Sequence, residues 1–222
     1  MPSSLDCVAV VPCLNEAASI GIVVRGLKAV LPAVIVVDDG SSDRTADAAR
    51  EAGAEVLVRT PTRGKGAALA LGWSRAAERG FEWALCLDGD GQHDPADAVQ
   101  FLAAADHSGA RMVVGNRFHD PAAIPWVRRC TNRLMSRWIS RRAGMVFPDS
   151  QCGYRLVHLP TLTALGLRTT HYEIESEMDL AFAKAGHGVG FVPIRARYGD
   201  ERSKIDPVKD TLRWWRWWRR GP

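Results

Sequence analysis

The sequence predicts an α/β fold: a mostly parallel, Rossmann-like sheet flanked by helices, in a single domain with a C-terminal amphipathic tail. Three observations predict it. Short β-branched runs recur along the chain, and each early run is followed by a segment of helical periodicity. The runs are almost continuously apolar, which marks strands buried on both faces of a parallel sheet. The unusual polar segments come directly after the runs, and ligands of open parallel sheets bind beyond the carboxyl ends of the strands.

The elements follow in order. Cys7–Val11 is the first run, and Ala17–Val30 carries apolar residues three and four apart. Val34–Val37 is the second run, and Ser42 and Asp43 supply N-cap chemistry for a helix over Thr45–Ala52. Glu55–Val58 leads to a helix over Ala67–Arg79. Trp83–Leu87 leads to one over Ala96–Ala105, its start marked by Asp94-Pro95. Met112–Val114 is the fifth run. The second half is less regular: a helix over Pro125–Arg142, a strand at Tyr154–His158, a helix over Glu173–Ala185, a strand at Val189–Ile194 and a last helix over Pro207–Arg219. Residues 1–200 read as the domain and 201–222 as a basic, Trp-rich tail.

Composition sets bounds on function. At 222 residues, 46% hydrophobic and 24% charged, the chain can bury a core, which argues against disorder and coiled coil. No run approaches the roughly 20 apolar residues of a membrane span, and the start MPSSLD is not a signal peptide. The expected location is the cytoplasm. Five cysteines without a CxxC pair read as isolated reduced thiols, not a disulfide framework or zinc site. The net charge of +4 is uneven: residues 124–145 carry +6 and 195–222 carry +5, which leaves −7 on the rest. An acidic body with two basic segments suggests an anionic partner.

Four loops share one sheet edge: Pro12-Cys13-Leu14-Asn15-Glu16, Asp38-Asp39-Gly40-Ser41-Ser42-Asp43, Arg63-Gly64-Lys65-Gly66 and Asp88-Gly89-Asp90-Gly91-Gln92-His93-Asp94. The acids of the last loop repel one another unless a cation joins them. Asp88, Asp90 and Gln92 alternate, so in extended chain their oxygens can converge on one ion, and hard oxygen donors suit Mg²⁺ or Mn²⁺. Gly89 and Gly91 leave room for a ligand against the backbone. The Lys65 loop lacks the P-loop pattern, and no GxGxxG follows the first strand, so a P-loop NTPase and a dinucleotide-binding domain are both disfavoured. His93 reads as a supporting group, Cys152 as a buried thiol, and Trp73 and Trp83 as core.

VPCLNE, VVDDGSSD, RGKG, DGDGQHDP and GNR, in this order, resemble the family 2 glycosyltransferases, and more narrowly the polyprenyl-phosphate sugar transferases typified by dolichol-phosphate mannosyl- and glucosyltransferases. The resemblance continues through Asp149–Arg155, Tyr172–Glu175 and Ser203-Lys204. It implies a GT-A fold, a nucleotide-diphosphate sugar donor (GDP-mannose or UDP-glucose), a divalent metal and inversion at the anomeric carbon. By the same resemblance Pro12, Leu14, Asn15 and Glu16 border the base, and Asp39 and Ser41 hold base and ribose. Asp88 faces the nucleoside, and Asp90 and Gln92 hold the metal on the diphosphate. Arg202 and Lys204 close over the diphosphate, with Lys65 adding charge. Arg117 meets the acceptor phosphate, with Arg155 a second candidate.

The acceptor decides the remaining chemistry. A phosphate monoester is mostly a dianion at neutral pH and needs orientation by arginine, not a base. A hydroxyl needs a carboxylate within reach, and Glu173 or Glu175 is the first suspect, against the plainer reading of acids solvated at a helix start. The interleaved Arg and Trp of 124–145 and 207–220 suit an anionic membrane surface. Packing of those tryptophans on the body is the alternative, and nucleic acid is not expected beside so acidic an edge. The expectation is therefore a peripheral enzyme on the cytoplasmic membrane face that transfers a hexose to polyprenyl phosphate. Its rivals are the same fold acting on a hydroxyl, and a non-catalytic membrane or nucleic-acid-binding protein.

Overall fold

A computed structural model describes residues 6–120, 124–196 and 207–220. Seven strands form one sheet: β1 (Cys7–Cys13), β2 (Ala33–Asp38), β3 (Glu55–Val58), β4 (Trp83–Cys86), β5 (Met112–Asn116), β6 (Arg155–His158) and β7 (Val189–Pro193), in the order β3-β2-β1-β4-β6-β5-β7. All seven residues of β1 are buried, as its unbroken apolar run requires of a central strand. Each predicted strand is found. β1–β2, β2–β3, β1–β4 and β5–β7 pair in parallel.

β6 runs antiparallel to both β4 and β5, with Arg155 opposite Cys86 and Val114. Its leading end therefore lies where β4 and β5 finish. The segment before β6, residues 149–154, is thereby delivered to the same sheet edge as the four polar loops.

The helices are α1 (Ile20–Lys28), α2 (Thr45–Glu51), α3 (Lys65–Glu78), α4 (Ala98–Ser108), α5 (Trp126–Ala143), α6 (Leu159–Leu165), α7 (Glu173–Lys184) and α8 (Pro207–Arg220). Asp94 caps the turn that leads into α4, accepting from the Ala96 N–H at 3.0 Å. α6 is not predicted. Its seven residues carry Pro160 in the first turn, and His158 acts as its side-chain cap, so it has a start signal but too few residues for periodicity.

α8 lies on the body. Trp214 is 5% exposed and joins the main core. Its ring stacks on Trp138 of α5 and on Trp218, with centroids 5.9 and 5.1 Å away. Arg142 of α5 lies 4.7 Å over the Trp218 ring and donates to the Trp218 carbonyl at 3.1 Å. Trp217 and Trp218 are half-buried, and Trp215 is exposed. The four tryptophans thus divide between packing and solvent. The five cysteines are thiols outside any disulfide, and Cys130 alone among them is exposed.

Candidate functional site

A cavity of about 1190 Å³ opens at the carboxyl edge of the sheet. The ends of β1, β2 and β4 and the start of α3 form one side, and α5, α7 and α8 form the other.

The β1 side is a braced turn. Asn15 has a φ of 53°, and its N–H donates to Ser41 Oγ at 2.8 Å while its side-chain oxygen accepts from the Ser42 N–H at 2.8 Å. The Glu16 N–H donates to Thr45 Oγ1 at 2.7 Å. Pro12, Leu14, Asn15 and Glu16 line the cavity. Ser41 Oγ accepts from the Asn15 N–H, and Ser41 is not among the residues that line the cavity, so the structure gives it a bracing role in place of the base and ribose contact expected from the sequence. Asp39 lines the cavity and is 4% exposed. Its carboxylate accepts from the Arg63 and Gly64 N–H groups at 3.1 and 2.7 Å and from the Arg59 guanidinium. It anchors the loop ahead of α3 to the end of β2.

At the centre, Lys65 Nζ lies 2.6 Å from both Asp88 Oδ1 and Glu175 Oε1. Burial alone would push the Lys65 ammonium down, but the two carboxylates outweigh it and hold it well above the usual lysine range. Burial likewise works against the Asp88 carboxylate, and Lys65 outweighs it, leaving Asp88 lowered. Gly153 closes this triad from the β6 side. A Cβ there would stand 2.6 Å from Asp88 Oδ2, 2.7 Å from Lys65 Nζ and 3.1 Å from Glu175 Oε1. Glu173 and Glu175 are 4% and 6% exposed, so the reading of solvated helix-start acids is corrected: the α7 start faces protein.

Asp90 and Gln92 line the cavity beside Asp88, and the Gln92 N–H donates to Asp90 Oδ1 at 2.9 Å. Gly89 has a packing reason of its own, because a Cβ there would meet Cys13 Sγ at 2.5 Å. Next to this loop, His93 is buried against Tyr154, ring centroids 5.5 Å apart, and its Nδ1 has no hydrogen-bond partner among the described residues. Burial first, then the nearby Arg117 charge, push His93 down to about 4. It is a neutral group in the wall, in keeping with a supporting role.

Among the described residues, no group of three or more His, Cys, Asp or Glu is placed to hold a metal. The donors assigned from sequence are one carboxylate, Asp90, and one amide oxygen, Gln92, both on the cavity. That set suits Mg²⁺ or Mn²⁺ when substrate phosphates supply the remaining oxygens.

Arg117 lines the cavity and forms a two-pronged pair with Asp149, Nε to Oδ2 at 2.7 Å and Nη2 to Oδ1 at 2.9 Å. Arg155 is a correction. It is fully buried, paired with Asp179, and donates to the carbonyls of Cys152 at 2.8 Å, Ser150 at 2.8 Å and Glu175 at 3.2 Å. It knits the segment before β6 to α7 and is not available to an acceptor phosphate. Arg202 and Lys204 lie outside the described residues.

The far wall is aromatic and aliphatic: Leu134, Met135, Trp138, Leu212, Trp214 and Trp215, with Arg128 and Arg213 at hand. Sequence reasoning missed Asp149, Gly153, Ser176 and Asp179. Asp149 and Gly153 stand in the quoted Asp149–Arg155 motif, so a signal existed for them. For Ser176 and Asp179, one face of a predicted helix gave none.

A model of the family described as "Glycosyl transferase family 2" matches residues 8–159. The chain is 32% identical over 206 residues to glycosyltransferase AglJ of Haloferax volcanii, covering 90% of this chain and 66% of that protein's length. It is 30% identical over 208 residues to an undecaprenyl-phosphate mannosyltransferase of Micrococcus luteus, covering 83% of this chain and 81% of the relative. Among solved structures, glucosyl-3-phosphoglycerate synthase of Mycobacterium tuberculosis, in complex with Mn²⁺, UDP-glucose and phosphoglyceric acid, is similar in fold. It has a TM-score of 0.72 at 22% identity and covers 95% of this chain and 75% of that one.

Proposed function

The chain belongs to glycosyl transferase family 2, and on that premise we propose that its cavity transfers a hexose from a nucleotide-diphosphate sugar to a membrane polyprenyl phosphate, with inversion. One observation carries the acceptor: the polar strand-end loops and the apolar wall of α5 and α8 line a single cavity, so that a phosphate head and an apolar tail fit side by side. The name of the Micrococcus relative supports the same reading. GDP-mannose and UDP-glucose are the donors considered, and the UDP-glucose in the mycobacterial structure supports a nucleotide sugar.

In this reading Pro12, Leu14, Asn15 and Glu16 border the base, with Asp39 holding their neighbouring loop in place. Asp88, fixed by Lys65, faces the nucleoside. Asp90 and Gln92 would hold Mg²⁺ or Mn²⁺, whose chemistry there is to neutralise charge on the departing nucleoside diphosphate. Arg202 and Lys204 add to that neutralisation. Arg117, set by Asp149, orients the acceptor phosphate, whose oxygen attacks the opposite face of the anomeric carbon. That oxygen is already ionised at neutral pH, so no proton needs removing.

Membrane contact is part of the proposal. Trp126, Val127 and Leu134 of α5 and Leu212 and Trp215 of α8 are exposed among arginines. Each basic residue near an anionic surface contributes about 1 kcal/mol. Among the described residues no helix is long and apolar enough to cross a membrane; in the proposed reading these exposed residues provide a peripheral attachment on the cytoplasmic face.

Transfer from labelled UDP- and GDP-sugars to undecaprenyl phosphate, with Mn²⁺, Mg²⁺ or EDTA, tests the reading. Metal-dependent label in the lipid from one donor supports it. Donor hydrolysis without lipid label redirects it to a hydroxyl acceptor, the second reading, which Glu175 on the cavity wall favours. Glu175→Gln separates the two. Transfer to a phosphate stays within about tenfold of wild type, whereas loss of a required base costs about 10²–10⁴-fold.

A further inference from the structure

Trp214 belongs to a chain of polar contacts that crosses four parts of the molecule and is buried except at Gln151, which is half-buried on the cavity wall. Its indole Nε1–H donates to Ser176 Oγ at 3.0 Å, and Ser176 is fully buried. The Gln151 side-chain amide donates to the same Ser176 oxygen at 3.2 Å and to Ser150 Oγ at 2.9 Å. The Ser150 N–H in turn donates to Ser136 Oγ of α5 at 3.0 Å. The relay therefore runs from α8 through α7 into residues 149–153 and on to α5.

Both ends of that segment touch the site. Asp149 holds Arg117, and Gly153 lies against Lys65, Asp88 and Glu175. A relay of this kind has few alternative arrangements, because moving one member strands a donor or acceptor.

We propose that Trp214 is a positioning residue of the transfer reaction: its indole N–H fixes Ser176 and Gln151, and through them the segment that sets Arg117 and backs the Lys65 triad. The inference rests on the transfer reading of the cavity. It makes α8 a working wall of that cavity as well as a surface helix. The donor loops at β1 and β2 have no member in the relay, but the triad it backs contains Asp88, which the transfer reading places against the nucleoside, so turnover is expected to fall further than donor affinity.

The test uses the full chain with Trp214→Phe and Ser176→Ala. Trp83→Phe is the control, a buried tryptophan elsewhere whose ring packs on His158 at 4.9 Å. Two readouts are taken: kcat and donor KM for transfer, and hydrogen–deuterium exchange of peptides spanning 149–153. We expect Trp214→Phe and Ser176→Ala to lower kcat about tenfold or more, as small misplacements do, with donor KM changed less than kcat. Exchange in the segment should quicken in both. Trp83→Phe should lower the melting temperature without either effect. Unchanged exchange overturns the proposal, and so does faster exchange with unchanged kcat. An equal kcat loss in Trp83→Phe also overturns it, because the effect would then be general destabilisation. If the wild-type chain transfers no sugar, the functional reading fails by itself, and exchange still decides whether Trp214 orders the segment.

Discussion

Lys65 Nζ and Glu175 Oε1 meet at 2.6 Å although 110 residues separate them, and the same ammonium reaches Asp88. One cation shared by two carboxylates leaves the cluster with one excess negative charge at the cavity wall. The Lys65 side chain is 12% exposed, so little water is available to replace its ammonium.

Removing that cation leaves two carboxylates in close quarters. Lys65→Met is expected to cost about 3–5 kcal/mol, the usual loss when one partner of a buried pair is deleted. Glu175→Gln should cost less, because Lys65 keeps Asp88. Urea unfolding at neutral pH gives both values, and equal losses would contradict the shared-cation geometry.

Gly153→Ala puts a methyl group 2.6 Å from Asp88 Oδ2 and 2.7 Å from Lys65 Nζ. The triad must spread, and a shift of about 1 Å in such a site costs on the order of 10²-fold in rate. Transfer by the purified variant should fall by that order. Near-wild-type turnover would show that the triad's spacing is not critical.

The fold was legible because its signals are local. Each strand is a short run rich in apolar residues, β-branched in most strands but not in β4, and those runs located β1 through β7. The direction of β6 was not legible: pairing direction is settled by neighbours, and nothing in Arg155–His158 names them. The candidate site was legible where glycines and acids cluster, as at Asp88–Gln92. It was not legible where a side chain's partner is distant in sequence. Arg155 looks like a ligand-binding arginine until Asp179 is placed beside it. Glu175 looks like a solvated helix-start acid until Lys65 is.

Arg155 also allows a direct check of its structural role. Arg155→Met strands the Asp179 carboxylate in a dry interior and should cost about 3–5 kcal/mol. Arg155→Met combined with Asp179→Leu should recover much of that, since apolar replacement of a buried pair is often neutral. Chemical denaturation of both variants decides it. A stable Arg155→Met with weakened acceptor binding would return Arg155 to the ligand site.

His93 gives the fold an acid-side sensitivity. It is held near 4 in the native state against an ordinary 6.5. The unfolded chain therefore binds more protons between those values, and stability rises with pH across that window. The contribution is complete above about pH 6.5 and is lost as pH falls toward 4, with roughly 2 kcal/mol gone by pH 5. Unfolding free energies at pH 5 and 7 should differ less in His93→Gln than in wild type. An identical pH slope in the two proteins would exclude His93 as its source.

The central place of β1 has a consequence for synthesis. The segment Cys7–Val11, which leaves the ribosome before β2 and β4, contains no charge and ends with both hydrogen-bonding edges covered, one by β2 and one by β4. Until Asp38 has emerged neither edge has its partner, and until Cys86 has emerged one remains open. A short apolar strand in that state is a template for pairing with another nascent chain. Slowing elongation between Asp38 and Cys86 should therefore lower soluble yield more than slowing it after β4, with the finished protein unchanged.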